Sequence, residues 1–362
     1  MKIAIRVDAS GQIGAGHFMR CLALADALKH ISRKIFFISR CLPEYLETLL
    51  EEKGHAFVNL IGNSDDYKNL DRLDHSYWLT VSQKQDAIES IQALVGQSEK
   101  SSTWDWLIVD HYALDSRWET ELRQIVKKVL VIDDLADRKH DCDILLDQNY
   151  YGNMHNRYNK KVPLSCELLL GPKYALLRNE FHKIHPKACP RIGIPKRLLV
   201  FFGGFDINNY TMKIIRILSK LDTHGLHVDV VVGGKHPDKI AIESKCKKLG
   251  YSCHVQTNRM AEIISRSDVA IGSGGTVTWE RICCLLPTIV ITTARNQVIP
   301  IKELANLGLL YYLGHEWHGV SDTIIATICD AISGEFNEKY LIDNSVLEVD
   351  GLGVNRVISL MD

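Results

Sequence analysis

Apolar and polar positions along the chain follow two rhythms that alternate. Lys2–Val7 is a short apolar run that reads as a buried strand, whereas residues 18–28 set Phe18, Cys21, Leu22, Ala25 and Leu28 at helical spacing. Between them lies Gly14-Ala15-Gly16-His17, so the chain opens as strand, glycine loop and helix. The same reading predicts strands over 34–38, 106–109, 129–132 and 143–146, and helices over 43–53, 84–95 and 116–126. Residues 62–103 are polar and weakly patterned apart from the helix at 84–95. Strands alternating with helices imply a parallel sheet covered on both faces.

From Phe181 to Arg197 the pattern stops: Pro186, Pro190 and Pro195 stand among basic residues with no periodicity, which marks a linker. Beyond it a second alternating block begins with a strand over 198–202, the turn Gly203-Gly204-Phe205-Asp206 and a helix through Leu218. Further strands are expected over 228–232, 269–271 and 288–291. The expected fold is therefore α/β with two Rossmann-like, doubly wound parallel-sheet domains facing a cleft: 1–186, then 187–350, with a helix in 351–362 packing back on the first. A length of 362 residues and an apolar content of 46% suit two cores rather than one.

Charge and cysteine content narrow the function classes. A formal net charge of −1 leaves no basic surplus for nucleic acid or an anionic membrane, and only local positive potential is needed for a small anion. The N-terminus turns charged within a few residues and no apolar run approaches ~18 residues, so a cytoplasmic protein is expected. The ten cysteines include no Cys-x-x-Cys pair, which argues against a structural zinc and a disulfide framework. Reduced, mostly buried thiols are expected.

The candidate chemistry lies where strands give way to helices. Glycines there let backbone N–H groups approach an anion, and the following helix adds the positive end of its dipole. Gly14 and Gly16 form one such turn, Gly203-Gly204 a second, and Gly272-Ser273-Gly274-Gly275-Thr276 a third. The third position of the dinucleotide fingerprint is Met19, no acidic residue stands at the ribose spacing, and Gly-Lys-Ser/Thr is absent, which disfavours nicotinamide and P-loop readings. His17 opens the first helix, where the dipole favours a neutral ring able to accept a proton. Asp8 ends the first strand and either orients His17 or caps the loop. Asp110-His111-Tyr112 ends another strand, and Tyr112 is a sugar-hydroxyl donor, a stacking ring or an ordinary loop aromatic. Glu280, one turn into a helix, either accepts from ribose hydroxyls or complements the dipole. The Asn296 and Gln297 amides suit sugar recognition or simple solvation. Asp133-Asp134 invites Mg²⁺, but adjacent side chains diverge, and neither a metal nor another cofactor is expected.

Taken in order, Arg6-Val7-Asp8-Ala9-Ser10, Ile13 to Arg20, Asp110-His111-Tyr112, Tyr174 to Phe181, Gly203-Gly204-Phe205-Asp206, Gly274 to Glu280, Pro287 and Asn296-Gln297 resemble the pseudaminic-acid pathway hydrolases that act on UDP-2,4-diacetamido-2,4,6-trideoxy-β-L-altropyranose. That family is similar in fold to the lipid II-forming N-acetylglucosaminyltransferases, the two-domain arrangement called GT-B. The resemblance implies hydrolysis of the sugar nucleotide to UDP and free sugar, with inversion at the anomeric carbon. It makes His17 the catalytic histidine, Tyr112 and Asn296 sugar-side contacts, Glu280 the ribose ligand and Gly274-Gly275 the phosphate contact. Phe205 departs from the small hydroxyl residue common after the glycine pair. A GT-B glycosyltransferase using a UDP-sugar donor and a non-catalytic nucleotide-sugar-binding protein are the rival readings.

Overall fold

In the computed structural model, residues 1–32, 34–60, 71–97, 103–315, 322–336 and 347–361 are described. Of the polar stretch expected over 62–103, residues 62–70 and 98–102 lie outside them. The chain divides into two compact units: Met1–Asn149 with Asn153–Leu176 and Val354–Asp362, and Tyr150–Gly152 with Leu177–Gly353.

The first unit is built on seven parallel strands, β1 (Lys2–Val7), β2 (Lys34–Ser39), β3 (Ala56–Asn59), β4 (Trp104–Asp110), β5 (Val126–Ile132), β6 (Ile144–Asp147) and β7 (Glu167–Leu170). They lie in the order β3-β2-β1-β4-β5-β6-β7. Helices α1 (Gly16–Leu28), α2 (Glu44–Glu52), α3 (Gln83–Gly96) and α4 (Ser116–Leu122) cover it. Alternate residues of β1 serve opposite faces. Ile3, Ile5 and Val7 pack with Phe18, Leu22, Leu46 and Leu50, while Ala4 faces the layer of Ala87, Trp104 and Trp118. Burial on both faces explains why these strands read as continuous apolar runs.

The second unit has six parallel strands, β8 (Arg197–Phe201), β9 (His227–Val232), β10 (Ser252–Val255), β11 (Val269–Ser273), β12 (Thr288–Thr292) and β13 (Tyr311–His315). Their order is β10-β9-β8-β11-β12-β13. Its helices are α5 (Asn179–Ile184), α6 (Tyr210–Leu218), α7 (Lys239–Leu249), α8 (Met260–Arg266), α9 (Val277–Cys283), α10 (Val298–Asn306) and α11 (Asp322–Ser333). Among the described residues no helix is long and apolar enough to cross a membrane.

Three expectations are corrected. The helix foreseen over 116–126 stops at Leu122, where Ile125 N–H closes a turn on the Leu122 carbonyl, and Val126 already belongs to β5. The linker foreseen from Phe181 begins as α5, whose Phe181 is fully buried. Residues 177–186 accordingly group with the second unit rather than the first. The closing helix α12 (Gly353–Ile358) belongs to the first unit: Val354, Val357 and Met361 enter its core, and Trp106 Nε1 donates to the Met361 carbonyl at 2.9 Å.

Both sheets reverse their winding once. In the first, β1 leads outward to β2 while β4 starts the opposite wing; in the second, β8 leads to β9 and β11 starts the other wing. Loops at the carboxyl ends of those adjacent strands diverge and leave a crevice, the usual ligand position in doubly wound sheets.

Candidate active site

At the first switch point β1 runs into a compact turn. Ser10 builds it, accepting from Gln12 and Ile13 N–H on its hydroxyl and from Gly14 N–H on its carbonyl at 2.8 Å. Gly14 has φ +80°, which a side chain would strain. The turn ends at Gly16, the first residue of α1, whose N-cap Ala15 provides no side-chain cap and whose first turn holds no acid. No described group accepts from the Ala15, Gly16 or His17 amides, so this helix end is ready for an anion.

His17 lies on the buried face of α1 with its ring directed at the end of β4. Its Nδ1 is 2.6 Å from Asp110 Oδ1. Arg20, one helical turn on, forks over the same carboxylate, Nε to Oδ2 at 2.6 Å and Nη2 to Oδ1 at 2.7 Å. Burial pushes the Asp110 carboxyl up, but the charge of Arg20, with the hydrogen bonds from Arg20 and His17, outweighs it and holds the group well below the usual carboxylate range. An ionised carboxylate only accepts, so Nδ1 carries the proton and Nε2 is left with a lone pair in the neutral ring. The ring's hydrogen-bond contacts among the described residues, to Asp110 and Arg20, are at Nδ1 and leave Nε2 open. The result is an oriented, one-tenth-exposed histidine set to take a proton at Nε2.

Tyr112 fixes the ring from the side. Its centroid is 4.6 Å from that of His17 in an edge arrangement, and Trp78 stacks on the phenol ring at 5.1 Å. The phenol is buried and donates to Asp134, so its hydroxyl is already engaged. Asp134 also takes Arg20 Nη1 at 3.3 Å and the Asn149 amide at 3.1 Å. Tyr112 therefore shapes the histidine pocket here instead of presenting a free donor. Asp8 does not reach His17: it pairs with Arg6 at 2.7 Å, accepts from Arg40 N–H at 2.7 Å and lies 3.1 Å from His111 Nε2. Its backbone partners are the Arg40 and Cys41 amides of the loop after β2 and not the glycine turn, and the carboxylate that faces His17 is Asp110.

At the second unit's switch point the turn Gly203-Gly204 follows β8 and the turn through Gly275 follows β11. Gly204's carbonyl passes 1.8 Å from where a Cβ on Gly233 would stand, so the turn after β9 must also be glycine. Gly275 has φ +92°, and the N–H groups of Gly274, Gly275 and Thr276 have no acceptor among the described residues. Gln297 leans over this turn. Its Oε1 accepts from Thr293 N–H at 3.0 Å, and its Nε2 lies 3.6 Å from a Cβ built on Gly275. Asn296 is half-buried in the same 3₁₀ turn, Arg295–Gln297. Glu280 is largely buried on α9 with Arg178 Nη2 3.5 Å from its Oε1. Burial raises the Glu280 carboxyl above its ordinary value and Arg178 works against that shift.

The structure thus brings His17, Gly14, Gly16 and Tyr112 together in the first unit, and Gly204, Gly274, Gly275, Thr276, Glu280, Asn296 and Gln297 at one sheet edge of the second. Sequence reasoning assigned no role to Arg20, Trp78, Arg178 or Arg281. Arg20 left one signal, its i, i+3 spacing from His17 on one helix face. Asp133 and Asp134 are both engaged, Asp133 by Arg138 at 2.8 Å and by Tyr158. Among the described residues no group of three or more His, Cys, Asp or Glu side chains is arranged to hold a metal ion.

No protein-family model matches the chain. It resembles an uncharacterised protein of Methanocaldococcus jannaschii, 25% identical over 299 residues, which cover 80% of this chain and 55% of that one; the chain spans about half the length of this relative. It is 26% identical to the UDP-2,4-diacetamido-2,4,6-trideoxy-β-L-altropyranose hydrolase of Campylobacter jejuni over 85% of the chain and 97% of the relative. It is 22% identical to the spore coat polysaccharide biosynthesis protein SpsG of Bacillus subtilis over 100% of the chain and 98% of the relative. Among solved structures, MurG of Acinetobacter baumannii superposes with a TM-score of 0.59 at 12% identity, covering 100% of this chain and 99% of that one. Phytolacca americana UGT2, complexed with UDP-2-fluoroglucose and pterostilbene, gives 0.65 at 12% identity with both chains covered to 100%. The spinosyn rhamnosyltransferase SpnG, complexed with thymidine diphosphate, gives 0.57 at 12% identity, again with both chains covered to 100%. The fold is GT-B-like, two parallel-sheet α/β domains.

Proposed function

We propose that this protein is an enzyme acting on UDP-sugars, and that it hydrolyses a UDP-activated 2,4-diacetamido-2,4,6-trideoxy hexose to UDP and the free sugar with inversion. The observation that carries the reading is the His17–Asp110 pair, a histidine whose Nδ1 is held by an ionised carboxylate and whose Nε2 is unoccupied. Resemblance to the Campylobacter jejuni hydrolase supports the substrate class.

His17 takes a proton from water as the water oxygen bonds to the anomeric carbon from the face opposite the nucleotide. The bond from that carbon to the β-phosphate oxygen breaks, and its electron pair leaves with UDP. Diphosphate is a good leaving group, so no carboxylic acid is needed to protonate it, unlike the paired-carboxylate glycosidases. What the reaction needs is a placed base and donors for charge growing on the β-phosphate. The Gly274-Gly275-Thr276 amides, with Gly204 and the Gln297 amide beside them, are the donors proposed for the diphosphate, and Glu280 for the ribose hydroxyls. In the first unit the Gly14 to Gly16 turn is the second proposed contact, and Tyr112 packs His17 in its working rotamer.

A glycosyltransferase would use the same base on an acceptor hydroxyl, and the fold likeness to the spinosyn rhamnosyltransferase fits that alternative. One incubation separates them. Purified protein with the UDP-diacetamido sugar and no acceptor should release stoichiometric UDP and a free sugar whose NMR spectrum first shows the inverted anomer. A requirement for an acceptor before any UDP appears would establish the transferase.

A further inference from the structure

Arg281 follows Glu280 in α9 and is only 2% exposed. A buried guanidinium ordinarily faces a carboxylate, since an uncompensated charge in the interior is strongly unfavourable. Among the described residues no carboxylate lies within ion-pair distance of Arg281; Glu280 acts on it only from farther away, and its Nε is a buried donor without a partner. Burial pushes the guanidinium down to about 10, which leaves it charged at neutral pH.

Its position is specific. Nη2 donates to the Ser273 carbonyl at 2.5 Å and lies 3.3 Å from Thr278 Oγ1. Nη1 lies against Gly272, 2.8 Å from where a Cβ would stand, and the Phe201 carbonyl occupies the rest of that space at 2.1 Å. Only glycine at 272 lets the cation lie directly under the turn. Because the peptide joining Ser273 to Gly274 is trans, a Ser273 carbonyl drawn toward Arg281 turns the Gly274 N–H away from it. That amide and its two successors are the ones with no acceptor.

We propose that Arg281 is the resident counter-charge of this turn, a positioning residue that aims the Gly274 amide outward and holds a positive charge beneath the seat of a nucleoside diphosphate. The inference rests on the reading above that the Gly274-Gly275 turn takes the diphosphate. A bound diphosphate would add negative charge where the distant Glu280 offsets the guanidinium only in part, so binding and the otherwise unfavourable burial of the guanidinium are coupled.

Calorimetry with UDP and with uridine on the intact chain tests this. Arg281→Gln should weaken UDP binding by roughly ten- to a hundredfold while changing uridine affinity less than about threefold, and Arg281→Lys should recover part of the UDP affinity. An equal loss for both ligands, or none for UDP, overturns the proposal. Wild-type protein that prefers UDP no more than uridine instead removes the diphosphate from the turn, and the proposal with it. If Arg281→Gln does not fold, the wild-type Arg281 Nε–H resonance, assigned by its loss in Arg281→Lys, decides. It should shift with UDP and not with uridine; identical responses to both would overturn the role.

Discussion

Asp110 and His17 meet at 2.6 Å although 93 residues separate them, because β4 lies beside β1 and both loops open at the same sheet edge. The pair gives the imidazole one tautomer. Asp110→Asn should therefore cut turnover by roughly 10²–10⁴-fold, up to the whole contribution of a general base. UDP affinity should largely hold, since the proposed nucleotide contacts other than the Gly14 to Gly16 turn lie on the second unit and Asp110 makes none of them. The substitution also leaves Arg20 with Asp134 as its only counter-charge among the described residues, so the lost stability should stay below the roughly 3–5 kcal/mol of a fully unpaired buried charge. Single-turnover rates beside a thermal melt separate the two effects; a folded variant with wild-type turnover would remove the orienting role.

His17→Asn is smaller than the ring but polar, and it removes the lone pair at Nε2. Turnover should nearly vanish while UDP still binds. A variant retaining more than about a tenth of the wild-type rate at saturating substrate means that another group takes the proton.

The strand and helix rhythm of the first unit was legible because its central strands are buried on both faces and carry unbroken apolar runs. Elements that escaped notice have weak patterns for identifiable reasons. In α7 only Ile242 and Cys246 are buried among lysines and glutamate, so no stripe stands out. The edge strands β3, β10 and β13 are only half-buried and lack a full apolar run. In the candidate site, His17 and the glycine turns could be picked out locally, by their place between a strand and a helix. Which carboxylate serves His17 could not. Asp8 is nearer in sequence, but its neighbours Arg6 and His111 claim it, and sheet order brings Asp110 instead. Arg281 was hidden because a lone arginine in a helix reads as a solvated charge until its burial is known.

Glu280 offers a contrast with Arg281. If its carboxylate receives the ribose, Glu280→Ala should weaken UDP and uridine alike by about 1.5–3 kcal/mol, the range for hydrogen bonds to a charged group. Calorimetry on both ligands reads this directly. Unchanged affinities would leave Glu280 as the partner of Arg178 alone.

Stability should fall at alkaline pH through His140. The ring is buried, which by itself lowers its pKa, but Glu119 at 2.7 Å and Asp133 at 3.8 Å reverse that and push it up to about 9. An unfolded histidine titrates near ~6.5, so the folded state binds the proton more tightly. The contribution is complete below about 6.5 and is lost as pH climbs through about 9. Denaturant midpoints measured across that window should decline for the wild type, and His140→Gln should start lower with a flatter profile. Parallel slopes in the two proteins would place the titrating group elsewhere.

Activity is expected to persist in excess EDTA. The carboxylates that invite a cation, Asp133 and Asp134, already have partners: Arg138, Tyr158 and the Ala136 amide serve Asp133, while Tyr112, Arg20 and Asn149 serve Asp134. A cation there would have to displace guanidinium groups from buried positions, leaving their charges unpaired. On the proposed reading, the diphosphate would find its positive potential in the amides of Gly274 to Thr276 and the guanidinium of Arg281 beside them. UDP release should therefore run at the same rate before and after chelation. Activity lost to EDTA and restored by Mg²⁺ or Mn²⁺ would show that these amides do not suffice and that a divalent cation carries the charge of the departing phosphate.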